Sequence, residues 1–303
     1  MYKSLVTIVC TTYNHKSYIR QCIDGFMMQK TDFAFEVLIH DDASTDGTVD
    51  IIREYEEEYP NIIKPIYQKE NQYSKGIDVS IYIFPHLNSR YIAWCEGDDY
   101  WIDPLKLQKQ VVFMESHEDY SMCFHNVWKL ENSKMNKFSF LRKEEIYASD
   151  IINDWIVPTC SVLFRRNCFN IDDYHKVLCV VGDFNLFINL SQNGRIHYIN
   201  SIMGVYRIHS NGITSISLAK MVSQDAFLNQ IEKMSRVYTK VRGLLCEQYI
   251  SAALSFAYMA LKGHNMKYFI HFLLLALRRK KILVLKSIFI RVKKKAFSLS
   301  SIL

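Results

Sequence analysis

Residues 36–59 read EVLIHDDASTDGTVDIIREYEEEY, and this stretch decides the fold. Glu36 to His40 is a short run centred on Val, Leu and Ile, the composition of a buried strand. Asp41 to Gly47 interrupts it with Asp, Ser, Thr and Gly, whose side chains satisfy backbone groups in turns and helix caps. From Thr48 the spacing changes. Val49, Ile52, Tyr55 and Tyr59 fall on one helical face, with Glu56, Glu57 and Glu58 mostly on the other. Strand, polar turn and amphipathic helix together make a β-α unit.

The same succession continues on both sides. Leu5 to Cys10 (LVTIVC) is strand-like, Thr11 to His15 is a polar break, and helical spacing runs to Gln29. Ile62 to Tyr67 predicts a third strand, roughly Ile77 to Leu87 a helix, and Tyr91 to Cys95 (YIAWC) a fourth strand. This alternation predicts a mostly parallel sheet flanked by helices. Asp103 and Pro104 read as an N-cap and first helical position, opening a helix to about Glu115 with Leu107, Val111 and Met114 facing inward. Beyond Ser121 the alternation loosens into strand-like Ser121 to Leu130, Ser161 to Arg165 and Ile196 to Tyr206, with a helix from Asp183 to about Gln192. From about Leu218 the pattern is helical.

The 303 residues are 49% apolar and 22% charged, which excludes a disordered chain and a polytopic membrane protein. The net charge of +6 conceals an asymmetry. Gln248 to Leu303 carries 11 Lys and Arg and no acid, leaving 26 basic and 31 acidic residues before it. The eight cysteines are scattered without a C-x-x-C pair and read as thiols in a reducing compartment. No export signal is expected at the N-terminus. Tyr268 to Leu277, a charge-free apolar run near the tail, is about half the ~20 residues that a spanning helix needs, so no transmembrane helix is expected.

In an open parallel sheet, ligands bind beyond the carboxyl ends of the strands, and two acidic clusters fall there. His40 to Thr48 follows the second strand, and its plain reading is a capped turn. Its carboxylates also suit a pyrimidine N–H or a ribose hydroxyl. Glu96-Gly97-Asp98-Asp99 follows the fourth strand. Neighbouring carboxylates repel, and a hard divalent cation relieves that repulsion. A solvated turn is the plain alternative.

These motifs together resemble family 2 glycosyltransferases with the GT-A fold, of the bacterial polysaccharide-synthesis type. The resemblance rests on Val6 to Asn14 (VTIVCTTYN), Asp41 to Thr48 (DDASTDGT), Tyr91 to Trp101 (YIAWCEGDDYW), Gly182-Asp183 and Tyr206 to His209 (YRIH), in the family's order and spacing. It implies a GT-A, Rossmann-like α/β domain over residues 1–217, with a nucleotide-sugar half to 115 and an acceptor half from 116. Residues 218–303 are then a basic helical C-terminal extension.

The resemblance also implies roles. Thr12, Asp42, Asp98 and Arg207 would contact the donor, with Asp42 reading the base. Asp98, Asp99 and His209 would hold a divalent metal, Mn²⁺ or Mg²⁺, with Glu96 standing where the family often has the first Asp of its D-x-D motif. Asp183 would be the general base of an inverting displacement, its plain reading being a helix N-cap. Trp101 is a candidate acceptor or sugar platform, with core packing as the alternative. His15 has no assigned role. Arg165 and Arg166 read as a solvated pair, with contact to an acceptor or a pyrophosphate as the alternative.

The expected reaction moves a sugar from a nucleotide-sugar donor, a UDP-sugar by this resemblance, to a saccharide or lipid-linked saccharide hydroxyl in capsular or surface polysaccharide synthesis. The acid-free tail suits an anionic membrane surface, placing the chain in the cytoplasm, peripheral on the inner face of the cell membrane, with a helical cap packed on the catalytic domain or a dimer interface as the plain alternative. No nucleic-acid partner is expected. A nucleotidyltransferase would show a Gly-rich basic loop after the first strand, where Thr11-Thr12-Tyr13-Asn14-His15 stands. A noncatalytic membrane-associated scaffold is the remaining alternative.

Overall fold

A computed structural model describes residues 4–177, 181–210, 212 and 224–279. The chain divides into two units, Met1–Ile171 with Leu186–Ile216, and Asp172–Asn185 with Ser217–Leu303.

The first unit holds a ten-stranded mixed sheet. β1 (Val6–Thr12), β2 (Phe35–Asp41), β3 (Ile63–Tyr67) and β4 (Tyr91–Trp94) are mutually parallel in the order β3-β2-β1-β4, as the alternation predicts. Val6, Ile8, Cys10, Val37 and Ile39 are fully buried. Helices α1 (Ile19–Met27) and α2 (Thr48–Glu58) carry the crossovers. The helix expected over residues 77–87 is only one turn, α3 (Ser80–Ile83), running into a 3-10 turn at Phe84–His86. Pro85 supplies the physical reason, because it has no N–H to continue the ladder.

The sheet's other half is mixed. β5 (Tyr100–Trp101) precedes α4 (Lys106–Ser116), and β6 (Tyr120–Glu131) continues into the edge strand β7 (Lys134–Lys137). A two-residue strand β8 (Glu145–Ile146), helix α5 (Ala148–Asn153), strand β9 (Leu163–Arg165) and the long β10 (Arg195–Ile208) complete it. β9 runs antiparallel between β4 and β6, while β10 lies parallel to β6 and antiparallel to β5. Arg165, read from sequence as solvated, is 5% exposed. Its guanidinium spans the Tyr120 carbonyl at 2.8 Å and the Tyr91 hydroxyl at 2.8 Å, fastening the two halves of the sheet.

The second unit contains α8 (Gln224–Val237), α9 (Arg242–Lys262) and α10 (Met266–Arg279), with α9 packed against both neighbours. Two elements straddle the unit boundary, α6 (Ile171–His175) and α7 (Gly182–Leu190). The start of α7 is anchored within the second unit. Gln230 clamps the Val181 backbone from both sides at 2.9 and 2.8 Å, and the Tyr238 hydroxyl donates to Asn185 Oδ1 at 2.6 Å. The segment Thr239–Lys262 is long and apolar enough to cross a membrane by length and composition, with mean hydropathy 1.3 and 39% of its most apolar window buried. The expectation of no such helix considered only charge-free runs and is corrected to that extent. The end of the basic tail, residues 280–303, lies outside the described residues.

One interior residue defies its composition. Lys106 opens α4 fully buried, its Nζ 3.7 Å from the centroid of the Trp101 ring and without a hydrogen-bond partner. Burial lowers its pKa from 10.5 to about 7. The unfolded chain therefore holds this proton up to about pH 10.5, while the folded chain holds it only below about 7. The resulting penalty is fully present below pH 7 and relaxes as pH rises towards 10. Lys106→Met is expected to stabilise the fold by about 3–5 kcal/mol at pH 7 and to flatten this dependence on pH. Urea unfolding at pH 7 and 9 measures both, and wild-type stability that does not rise between these pH values would count against the assignment.

Candidate functional site

The site grows from the carboxyl ends of β1, β2 and β4. Thr12 pairs with Asp41 in register, and the Asp42 N–H donates to the Thr12 carbonyl at 3.0 Å, so the two strand ends turn outward together. The turn after β2 is tightly specified. Ala43 sits in the left-handed region at φ 62°, where a Cβ costs roughly 1 kcal/mol or more. Asp41 Oδ2 accepts from the Ser44 N–H at 2.9 Å, and the Asp46 carboxylate accepts from the N–H groups of Lys16 and Thr48, both at 3.0 Å. Burial opposes ionisation of Asp46, but these hydrogen bonds with that of the Thr48 hydroxyl outweigh it and hold the carboxyl below its usual range.

Asp42 is 4% exposed. Its two oxygens accept from the Gln72 and Tyr73 N–H groups at 2.8 and 3.0 Å, pinning the 3-10 turn Tyr73–Lys75. Thr12 Oγ1 and Asp41 Oδ1, buried alongside, have no hydrogen-bond partner.

The acidic turn after β4 is tied to the same strand. The Cys95 N–H donates to Val9 O at 3.0 Å and the Gly97 N–H to Thr11 O at 2.9 Å. Gly97 lies so close to β1 that a Cβ there would come 2.8 Å from Thr12 Oγ1, 2.9 Å from Thr12 Cβ and 3.0 Å from His15 Nδ1. β5 then pairs with β10 through Tyr100–Val205 and Trp101–Gly204, which carries Arg207 and His209 onto the acidic turn. The Arg207 N–H donates to Asp99 Oδ1 at 2.8 Å. Its guanidinium donates to the Asp98 carbonyl and to Gln21 Oε1, and lies 4.2 Å from the Tyr100 ring centroid and 5.2 Å from that of Tyr18. His209 Nε2 is 3.0 Å from Asp98 Oδ2, and His15 Nε2 is 3.9 Å from the same oxygen.

The two aspartates differ in charge preference. Burial opposes ionisation of Asp98, but the hydrogen bond with His209 and the nearby His15 outweigh it and hold its pKa down. Asp99, 1% exposed, is pushed well above the carboxylate range by burial and by Asp98 and Glu96. His15 is shifted down, chiefly by burial, which favours neutral imidazole.

Thr12, Asp98, Asp99, Arg207 and His209 are thus brought together, with Asp42 beside Thr12. Trp101 is different. It is 2% exposed, its indole N–H donates to the Cys160 carbonyl at 2.7 Å, and its ring packs on Phe26 at 4.8 Å between centroids. A ring enclosed in this way has no open face for a sugar, and the core-packing alternative describes it. Asp183 lies in the second unit near the start of α7, its Oδ1 accepting from the Phe184 N–H at 2.8 Å.

Three residues around Asp98 and Arg207 had no role in the sequence reading: His15, Tyr18 and Gln21. The Tyr18 ring lies 4.6 Å from that of His209 between centroids. Their signal was position, since they follow the β1 carboxyl end and enter the first turns of α1. Among the described residues, no group of three or more His, Cys, Asp and Glu side chains is arranged to hold a metal ion. Asp98 Oδ2 and His209 Nε2 do converge, an oxygen and a nitrogen donor that Mn²⁺ accepts, with other positions left to water and phosphate oxygens.

The family model described as glycosyl transferase family 2 matches residues 7–171. An uncharacterised protein of Mycobacterium tuberculosis is 36% identical over 212 residues, which are 69% of this chain and 60% of that protein. The chain thus spans about 60% of the length of the first curated relatives it matches. An Escherichia coli UDP-Glc:alpha-D-GlcNAc-diphosphoundecaprenol beta-1,3-glucosyltransferase is 25% identical over 228 residues, 75% of this chain and 86% of its own. Among solved structures, a mannosyltransferase of Pyrobaculum calidifontis in complex with GDP-Man and Mn²⁺ superimposes with TM-score 0.57 at 13% identity, covering 95% of this chain and 87% of that one. That likeness establishes the fold, GT-A.

Gly97→Ala is expected to displace Thr12 and His15 and to cost about 1–3 kcal/mol of stability. Thermal melting checks this; an unchanged midpoint would mean that the turn accommodates the added methyl without moving Thr12.

Proposed function

The chain belongs to glycosyl transferase family 2, and from that premise we propose that it transfers a sugar from a nucleotide-sugar donor to a saccharide hydroxyl in surface polysaccharide synthesis. The observation that carries this reading is the convergence of Asp98, His209 and Arg207 on the strand ends beside Thr12 and Asp42. A nucleotide diphosphate needs cationic and hydrogen-bonding groups where charge develops on the leaving group, and this edge of the sheet offers both.

Asp98 and His209 would hold a divalent cation, Mn²⁺ or Mg²⁺, which when bound supplies Lewis-acid stabilisation of the departing nucleoside diphosphate. Asp99 acts differently. Buried and bonded to the Arg207 backbone, it fixes the turn rather than serving as an outward ligand. Arg207, braced by Tyr100 and Gln21, places its guanidinium at this edge. Thr12 and Asp42 contact the nucleoside, a uridine on the analogy of the E. coli relative's printed donor.

Asp183 is the general base of a single, inverting displacement. It stands in the first turn of α7. The acceptor is a lipid-linked saccharide, the class printed for the E. coli relative, and residues 218–303 hold the enzyme to the anionic inner face of the cell membrane. Residues 1–217 form the transferase domain, with the donor half before 116 and the acceptor half after it.

Release of nucleoside diphosphate from a panel of sugar donors, with and without Mn²⁺ or Mg²⁺, tests the reading. Transfer is expected to need the metal and to fall at least a hundredfold on EDTA treatment, with restoration on metal addition. Asp183→Asn should lower turnover by a hundredfold or more with donor affinity within about twofold of wild type. Undiminished turnover in that variant removes Asp183 from the role, and no release from any donor removes the reading itself.

A further inference from the structure

The tight hairpin joining β6 to β7 stands at the same strand ends as the site. β6 is parallel to β10, with Leu130 opposite Arg207 and Glu131 opposite Ile208, so the chain leaving β6 emerges beside Arg207 and His209. The two-residue turn Asn132-Ser133 has φ 48° and 63°, the left-handed pair that matches strand twist in a hairpin, and closes Glu131 onto Lys134. All four residues of β7, Lys134 to Lys137, are exposed.

The chain beyond β7 is held in an unusual way. Asn126, 5% exposed, grips Ser139 by its backbone on both sides, donating to the carbonyl at 2.7 Å and accepting from the N–H at 3.2 Å. Phe138 packs against Tyr206 at 5.4 Å between ring centroids. The next residue after the clamp, Phe140, is 81% exposed, and Met135 on the hairpin is 50% exposed. The hold on Ser139 thus fixes the chain just where it presents a bare aromatic ring to solvent. From Asn132 to Lys143 there are four cations and no acid. Lys143 is engaged by Asp150 at 2.6 Å, whereas Lys134, Lys137 and Arg142 are exposed and make no ion pair among the described residues. Lysines on an edge strand discourage strand addition, which explains Lys134 and Lys137. It does not explain an exposed Phe held in place beside them.

We propose that this segment, Lys134 to Arg142, docks on an anionic bilayer surface, with Lys134, Lys137 and Arg142 against headgroup phosphates and Phe140 with Met135 in the interfacial layer. Charge complementarity and the apolar tip choose this occupant over an acidic protein. The inference deepens the transferase reading and rests on it for its purpose, because a docked hairpin at this edge brings the site to the bilayer surface where a lipid-linked acceptor's hydroxyl is found.

Full-length protein is floated with phosphatidylglycerol–phosphatidylcholine vesicles and with phosphatidylcholine vesicles alone. Lys134→Gln/Lys137→Gln should lower partitioning onto anionic vesicles about thirtyfold and flatten its dependence on salt. Phe140→Ser should weaken partitioning severalfold without altering the salt slope. Both effects, with melting temperatures unchanged, support the proposal. Wild-type partitioning in both variants overturns it, as does self-association without vesicles that these substitutions abolish, since a second copy would then own the surface. Donor release by the wild type is measured in parallel; a protein that docks through the hairpin but transfers no sugar strikes the transferase reading and leaves the docking surface standing.

Discussion

The hydrogen bond from the Arg207 backbone to the Asp99 carboxylate joins residues 108 apart in sequence, and the site depends on it. Without it, the acidic turn is a loop at the end of a four-stranded parallel sheet and Arg207 is a residue near the end of a long strand. The bond is buried at its acceptor and continues the short β5–β10 ladder by one more contact. It also divides labour between adjacent carboxylates. Asp99 is turned inward and spent on structure, which leaves Asp98 facing His15 and His209. A buried carboxyl group held in this way needs a well-aligned donor, and a backbone N–H from a strand is among the least adaptable donors available.

The parallel half of the fold was legible because its signals are local. Val37, Leu38 and Ile39 announce a strand, Asp41 to Gly47 a turn, and Ile52 and Tyr55 a buried helical face, and each is decided within one window of the chain. The mixed half was less so. That β9 would lie antiparallel between β4 and β6 is a matter of pairing, and no property of Leu163, Phe164 and Arg165 names their neighbours. Arg165 and Lys106 went further against composition. Charge predicts exposure, and both are buried, one satisfied by backbone carbonyls and a hydroxyl, the other lying against an indole ring.

The site shows the same division. The acidic clusters could be found from their position after strands, because chemistry and topology agree there. Arg207 and His209 were found only through the family resemblance, since nothing local distinguishes them from ordinary strand-end residues. Tyr18 and Gln21 were missed altogether. They fall in a segment where the sequence shows only helical spacing, and their involvement appears only when β10 arrives from far along the chain. Trp101 offered two readings, a platform beside the acidic turn and core packing, and burial decides for the second: its ring packs on Phe26 and its indole N–H is held by the Cys160 carbonyl.

Asp42 carries a consequence for timing as well as for recognition. Both of its oxygens already receive backbone N–H groups from Gln72 and Tyr73. Any incoming group that hydrogen-bonds this carboxylate must share it with that loop, strengthening or weakening the hold on residues 72–75 as it binds. Occupancy of the strand ends and order in the loop are then two views of one equilibrium. Mutations in the loop that touch no ligand would register as changes in affinity, and a ligand at the strand ends would register as protection of the loop.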